Sequence, residues 1–174
     1  MALDRFAAAW REAYVSGDEV QRNALDEGTC VFCELAVAPV SESTGVVGGT
    51  ELTFVALNAF PYGSGHVLVL PRRHVAHPLE LSDEEYDDFA RTLRHALRAL
   101  DGAYGADGMN VGMNLGRAAG AGIPKHLHAH ALPRWLGDTN FMTSIGETRV
   151  LPESLQSTWR KVHDQFQPPG TLRD

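Results

Sequence analysis

No apolar stretch in these 174 residues approaches the roughly 20 needed to cross a bilayer, so no membrane-spanning helix is expected. Basic residues are in deficit: 15 Lys and Arg stand against 22 Asp and Glu, for a net charge of −7. That sign argues against a nonspecific nucleic-acid surface. It leaves small phosphates open, because they need only a local pocket of donors. The opening residues, Met1 to Arg5, have no basic segment leading into a long apolar run. No signal peptide is therefore expected, and the cytoplasm is the expected location. Cysteine is nearly missing, with Cys30 and Cys33 alone and three positions apart. In a reducing compartment such a pair points to a metal site or a redox motif before a structural disulfide.

What is present fits a globular chain. Hydrophobic residues make up 44%, and the length suits one domain with a proper core. Residues 3–15 carry Leu3, Phe6, Ala7, Trp10 and Tyr14 at roughly helical spacing, which predicts a short N-terminal helix or packed arm. Residues 16–29 read as a polar loop, and 1–29 together as an arm. Residues 36–50, rich in Gly and Ser, predict a flexible or hairpin-like insertion. Strands are expected at 51–57, 66–71 and 108–115, with a turn at 58–65. Ser82 before Asp83, Glu84 and Glu85 is a helix start, with a cap and carboxylates in the first turn. Tyr86, Phe89, Ala90, Leu93, Leu97 and Leu100 continue that helix to about Tyr104, near Gly105. A loop follows at 116–122, a last helix at 153–166, and a flexible tail at 167–174. Short strands around one long helix predict an α+β fold with an antiparallel sheet.

The run His126-Leu127-His128-Ala129-His130-Ala131-Leu132-Pro133-Arg134 says most about function. In a strand over residues 125–133 the three imidazoles share one face, about 7 Å apart, while Leu127, Ala129 and Ala131 face the core. Titratable groups on a buried strand are expensive to desolvate without partners or a use. Alternation alone is also compatible with a metal patch or a polar strand face. The pattern resembles the histidine triad, and the resemblance spans residues 10–15, 30–33, 58–74, 110–134 and 137 onward. The chain is similar to histidine triad (HIT) hydrolases and transferases, and within them to bacterial diadenosine tetraphosphate phosphorylases and fragile-histidine-triad-like proteins.

The resemblance implies a single HIT domain over residues 1–174. Its sheet would have about five strands, with one long helix and terminal helices, and two copies would dimerise across the sheet. It implies that His128 attacks the α-phosphorus of a nucleotide and becomes nucleotidyl-histidine. His130 would contact the phosphate and help protonate the leaving group. His66 would approach the phosphates from the neighbouring strand. Asn58 would lie near the ribose, although an Asn capping the turn before Pro61 is equally open. Asn114 would contact phosphate or leaving group, against a plain turn residue before Gly116. Trp135 would stack on a purine, against a core or dimer-interface aromatic. His77, His95 and His163 match no motif and read as surface residues.

The loop before the triad bears on the acceptor. Residues 120–125 contain no Gln, the residue that many fragile-histidine-triad hydrolases carry there. That gap would leave room for inorganic phosphate beside Gly122. Residues 133–142 also resemble the phosphorylases. The implied reaction is phosphorolysis of diadenosine tetraphosphate to ADP and ATP. One departure stands against it: the phosphorylases place a small polar residue near Gly122 or Ile123, and this chain has none there. A hydrolase of nucleoside phosphoramidates or other nucleotide esters, or a nucleotide-binding regulator with little turnover, remains open.

Cys30-Val31-Phe32-Cys33 has the two-residue gap of many zinc knuckles. By resemblance to zinc-binding family members, His74 and His126 would complete a closed structural zinc site, with His77 as a substitute for His74. Buried free thiols or a redox pair are the alternatives. No organic cofactor is expected. The expected partners are nucleotides, dinucleoside polyphosphates, inorganic phosphate and a second copy of the chain.

Overall fold

The computed structural model describes residues 30–138 and 153–166. The expectations for residues 1–29, 139–152 and 167–174 lie outside the described residues. Eight elements follow in order: α1 (Val31–Val37), β1 (Val46–Gly49), β2 (Thr53–Leu57), β3 (Val67–Pro71), α2 (Asp83–Tyr104), β4 (Gly108–Met113), β5 (Ala129–Arg134) and α3 (Leu155–Gln165). The strands form one antiparallel sheet in the order β1-β2-β3-β5-β4. The expected α+β class with five antiparallel strands is what the chain adopts.

The alternation of the strands sorts side chains onto two unlike faces. Val55, Leu57, Val67, Val69, Ala129 and Ala131 meet Phe89, Ala96, Ala99 and Leu100 of α2 and Val162 of α3. The small Ala129 and Ala131, both fully buried, let α2 approach the sheet closely. The other face carries Phe54, Ala56, Leu68 and Leu70 under Phe32 and Ala36 of α1. One seven-residue helix covers far less than two long ones, so this second face keeps an open cleft.

Helix α2 starts as its sequence predicts. Ser82 Oγ accepts from the Glu85 N–H while the Glu85 carboxylate accepts from the Ser82 N–H, and Gly105 ends the helix at φ 52°. The insertion at 36–50 contains the hairpin strand β1, with a bulge between Val46 and Gly48. Two expectations need correction. The triad segment becomes a regular strand only from Ala129, not from Lys125. Pro71 opposite has no N–H to continue a ladder, and its carbonyl is taken by the His126 ring. His95 is not a surface residue; it is 4% exposed, on the buried side of α2 with Asp88, Thr92 and Ala99. His163 is half-buried, stacked on Trp159 with its Nδ1–H donated to the Val47 carbonyl.

Candidate active site and metal cluster

Two groups of histidines form on the α1 face, and they share the triad segment. The first surrounds the cleft. His128 is buried, and its Nδ1–H donates to the His126 carbonyl at 2.8 Å. That bond fixes the tautomer and leaves Nε2 with its lone pair. Burial pushes the His128 pKa down and favours the neutral ring, partly opposed by the contact to the His126 carbonyl.

His66 is almost fully buried at the head of β3. The Tyr62 backbone N–H donates to its Nδ1 at 3.0 Å, so the proton of the neutral ring sits on Nε2. Nε2–H then donates to His130 Nδ1 at 3.0 Å. By the same logic His130 carries its own proton on Nε2. Gly65 makes the placement of His66 possible. Its φ is +75°, and a Cβ there would stand 2.7 Å from Pro133 and Tyr104 side-chain atoms. The His128 and His130 rings lie 5.0 Å apart, and both residues border one cleft.

That cleft encloses about 190 Å³ and is lined by Asn58, Asn114, Gly122, His128 and His130, all but Gly122 polar. Its apolar walls are Val31, Phe32 and Leu35 on one side and Phe60 and Tyr62 on the other. Asn58 also closes the turn, because its Oδ1 accepts from the Phe60 N–H at 3.0 Å. Trp135 is not among the cleft-lining residues; it packs edge-on against Tyr104 at 5.8 Å. Tyr62 and Phe32 were not singled out from the sequence. Tyr62 stacks on His130 at 5.7 Å, and its signal was an aromatic between Pro61 and Gly63 in the turn that delivers His66.

The second group is Cys30, Cys33, His74 and His126, whose ligand atoms all lie within 4.8 Å of one another. His126 is buried and donates its Nε2–H to the Pro71 carbonyl at 2.9 Å. Its Nδ1 therefore faces Cys30 Sγ at 3.5 Å and Cys33 Sγ at 3.6 Å. His74 Nδ1 lies 3.2 Å from Cys33 Sγ. Tetrahedral thiolate and imidazole ligands on one small cation sit about 3.5 Å apart, so the four residues fit a metal ion. The Pro71 carbonyl supplies the outer contact that usually orients a ligating imidazole. Burial and the neighbouring Cys30 push the Cys33 thiol pKa up, a tendency that a bound cation reverses. His77 is not in the group; its Nδ1 accepts from the Leu79 N–H and caps a short turn at Pro78–Glu80.

The HIT domain family model matches residues 41–135, more than half of the chain. The chain belongs to the histidine triad family. A HIT relative, the AP-4-A phosphorylase of Mycobacterium tuberculosis (strain ATCC 25618 / H37Rv), is 34% identical over 165 residues, covering 94% of this chain and 85% of that protein. An adenosine 5'-monophosphoramidase of Schizosaccharomyces pombe is 28% identical, over 74% of this chain and 97% of its own. Among solved structures, a Zn-bound histidine triad family protein from Mycobacterium smegmatis superposes with a TM-score of 0.63 at 25% identity, over 79% of this chain and 93% of that one. This HIT chain thus keeps its triad as a cleft and a cluster joined through one backbone carbonyl.

Proposed function

We propose that this chain is a nucleotidyl transferase that splits dinucleoside polyphosphates by phosphorolysis through a covalent nucleotidyl-His128. The observation that carries the reading is the His128 Nε2 lone pair, held toward the cleft by the bond from Nδ1–H to the His126 carbonyl. The 34% identity to an AP-4-A phosphorylase supports the substrate class.

In the first step His128 Nε2 attacks the α-phosphorus. The bond from that phosphorus to the bridging oxygen of the leaving polyphosphate breaks, and His130 Nε2–H supplies the proton to that oxygen. His66 orients His130 by holding its Nδ1. In the second step an oxygen of inorganic phosphate attacks the same phosphorus, its proton returns to His130 Nε2, and the phosphorus–nitrogen bond breaks. Diadenosine tetraphosphate would yield ATP and then ADP. Asn58 and Asn114 would position ribose and phosphate.

Cys30, Cys33, His74 and His126 would hold zinc. With four protein ligands it would have no open position, so it would order α1 against the triad segment rather than act on substrate. A reduced dithiol pair used in this way suits the cytoplasm. A homodimer is supported by β4, an edge strand whose Val111 and Met113 are 48% and 41% exposed.

One observation favours a second reading. Gly122 and Ile123 line the cleft without a side-chain hydroxyl or amide to hold phosphate. Water would then be the acceptor, with nucleoside phosphoramidates or other nucleotide esters as substrates. Product chromatography with diadenosine tetraphosphate, with and without inorganic phosphate, decides. ADP with ATP only when phosphate is present supports phosphorolysis; AMP with ATP regardless of phosphate supports the hydrolase.

A further inference from the structure

We infer that occupancy of the Cys30, Cys33, His74 and His126 cluster controls how tightly the cleft holds a nucleotide. The inference rests on the proposed reading of the cleft as a nucleotide site. The segment that supplies the thiols also supplies the cleft wall. Helix α1 begins directly after Cys30 and contains Cys33, and its Val31, Phe32 and Leu35 line the cleft.

Two contacts join cluster to cleft. The Phe32 ring stands 5.6 Å from the His126 ring and 5.1 Å from the His128 ring, so one side chain touches a cluster residue and the proposed nucleophile. The carbonyl of His126 also accepts the bond that sets the His128 tautomer. Helix α1 cannot hold this wall alone. It has seven residues, and Cys30 at its start makes no side-chain capping bond. A helix that short is marginal without tertiary anchors. Its far end is tied by Arg72, which donates to the Ala36 carbonyl. Its near end has the cysteines. An ion joining them to His74 and His126 fixes Val31 and Phe32 where a base would pack. Without it the wall has two arrangements, held and released, and a nucleotide favours the held one.

Linkage then makes the effect reciprocal: nucleotide must tighten the metal by the same factor that metal tightens nucleotide. The test uses AMP, which the chain can bind without turning over, and zinc. AMP affinity is measured by calorimetry on zinc-loaded and chelator-stripped protein. Zinc affinity is measured by chelator competition with and without saturating AMP. We expect AMP to bind at least about fivefold more weakly without zinc, and zinc to tighten by the same factor with AMP. Equal AMP affinity in both forms overturns the coupling. Absence of AMP binding in either form overturns the nucleotide reading itself, and the coupling with it. If stripped protein unfolds, the zinc competition on the loaded form still decides. There Phe32→Ala should keep zinc but lose the AMP effect on zinc affinity; an undiminished effect refutes the role of Phe32.

Discussion

His126 and His128 are two positions apart just before β5, and burial pushes both pKa values down, yet they offer opposite nitrogens. His126 gives Nε2–H to the Pro71 carbonyl and turns Nδ1 to the thiols. His128 gives Nδ1–H to the His126 carbonyl and leaves Nε2 for the cleft. The residue type is identical. What differs is which carbonyl each ring finds, and that decides whether the free lone pair faces the thiols or the cleft. His130 completes the series: its Nδ1 is taken by His66, so it keeps a proton where His128 keeps a lone pair.

The sharpest break of this comparison is His128→Asn. Asn can still donate to the His126 carbonyl but has no nucleophilic nitrogen. Loss of a covalent nucleophile costs on the order of 10⁴-fold or more in kcat. Metal content, by atomic emission, should stay at that of the parent. Retention of more than about a hundredth of the activity would remove His128 from the chemistry.

His126→Ala attacks the other end. It should abolish metal binding and lower thermal stability by about 3 kcal/mol or more, because a cluster buried only at His126 would lose its ion and Pro71 its donor. Scanning calorimetry with metal analysis checks this. A variant that melts with the parent and still holds metal would show that His126 is no ligand. His66→Ala falls between the two ends. It should lower kcat about 10²-fold, the usual worth of a proton donor or its holder, with KM little changed. It also leaves the Tyr62 N–H without its acceptor, at a cost of about 1–3 kcal/mol. A loss confined to KM would make His66 a substrate contact instead.

Much of this arrangement was legible in the sequence. Ser82 to Glu85 names its own capping box, and Cys30, Cys33, His74 and His126 meet as the spacing and the family resemblance imply. Helix α1 was not legible, because seven residues carry too little periodicity and its stability comes from contacts elsewhere. β2 and β3 are buried on both faces, so they show continuous apolar runs rather than clear alternation. The late start of β5 depends on Pro71 across the sheet, a nonlocal fact. His95 matches no motif, and only the phase of α2 shows that it follows Asp88 and Thr92 onto the buried side. Phe32 and Tyr62 were passed over because apolar cleft walls look like any core aromatic until the chain is folded.

The smallest expected effect lies outside both ends and provides their baseline. Glu85 caps α2 and pairs with Arg73, whose guanidinium, at 2.7 Å, holds the Glu85 pKa down to about 2. The ordinary glutamate value is about 4.3. A folded-state value below the unfolded one contributes stability that is complete above the unfolded value. That stability is lost as pH falls through about 2. Metal ligands must be deprotonated, so an ion held by the cluster would be released at a much milder pH than this. Acid should therefore dissolve the His126 end first, while the cap of α2 persists. Glu85→Gln should cost only about 1 kcal/mol near pH 7, because Arg73 is half exposed and water screens the pair. The cost should shrink toward zero near pH 2, and kcat and metal content should not move. An acid midpoint for metal release that shifts with Glu85→Gln would mean that cluster and cap are one cooperative unit, and the division between the two ends would have to be redrawn.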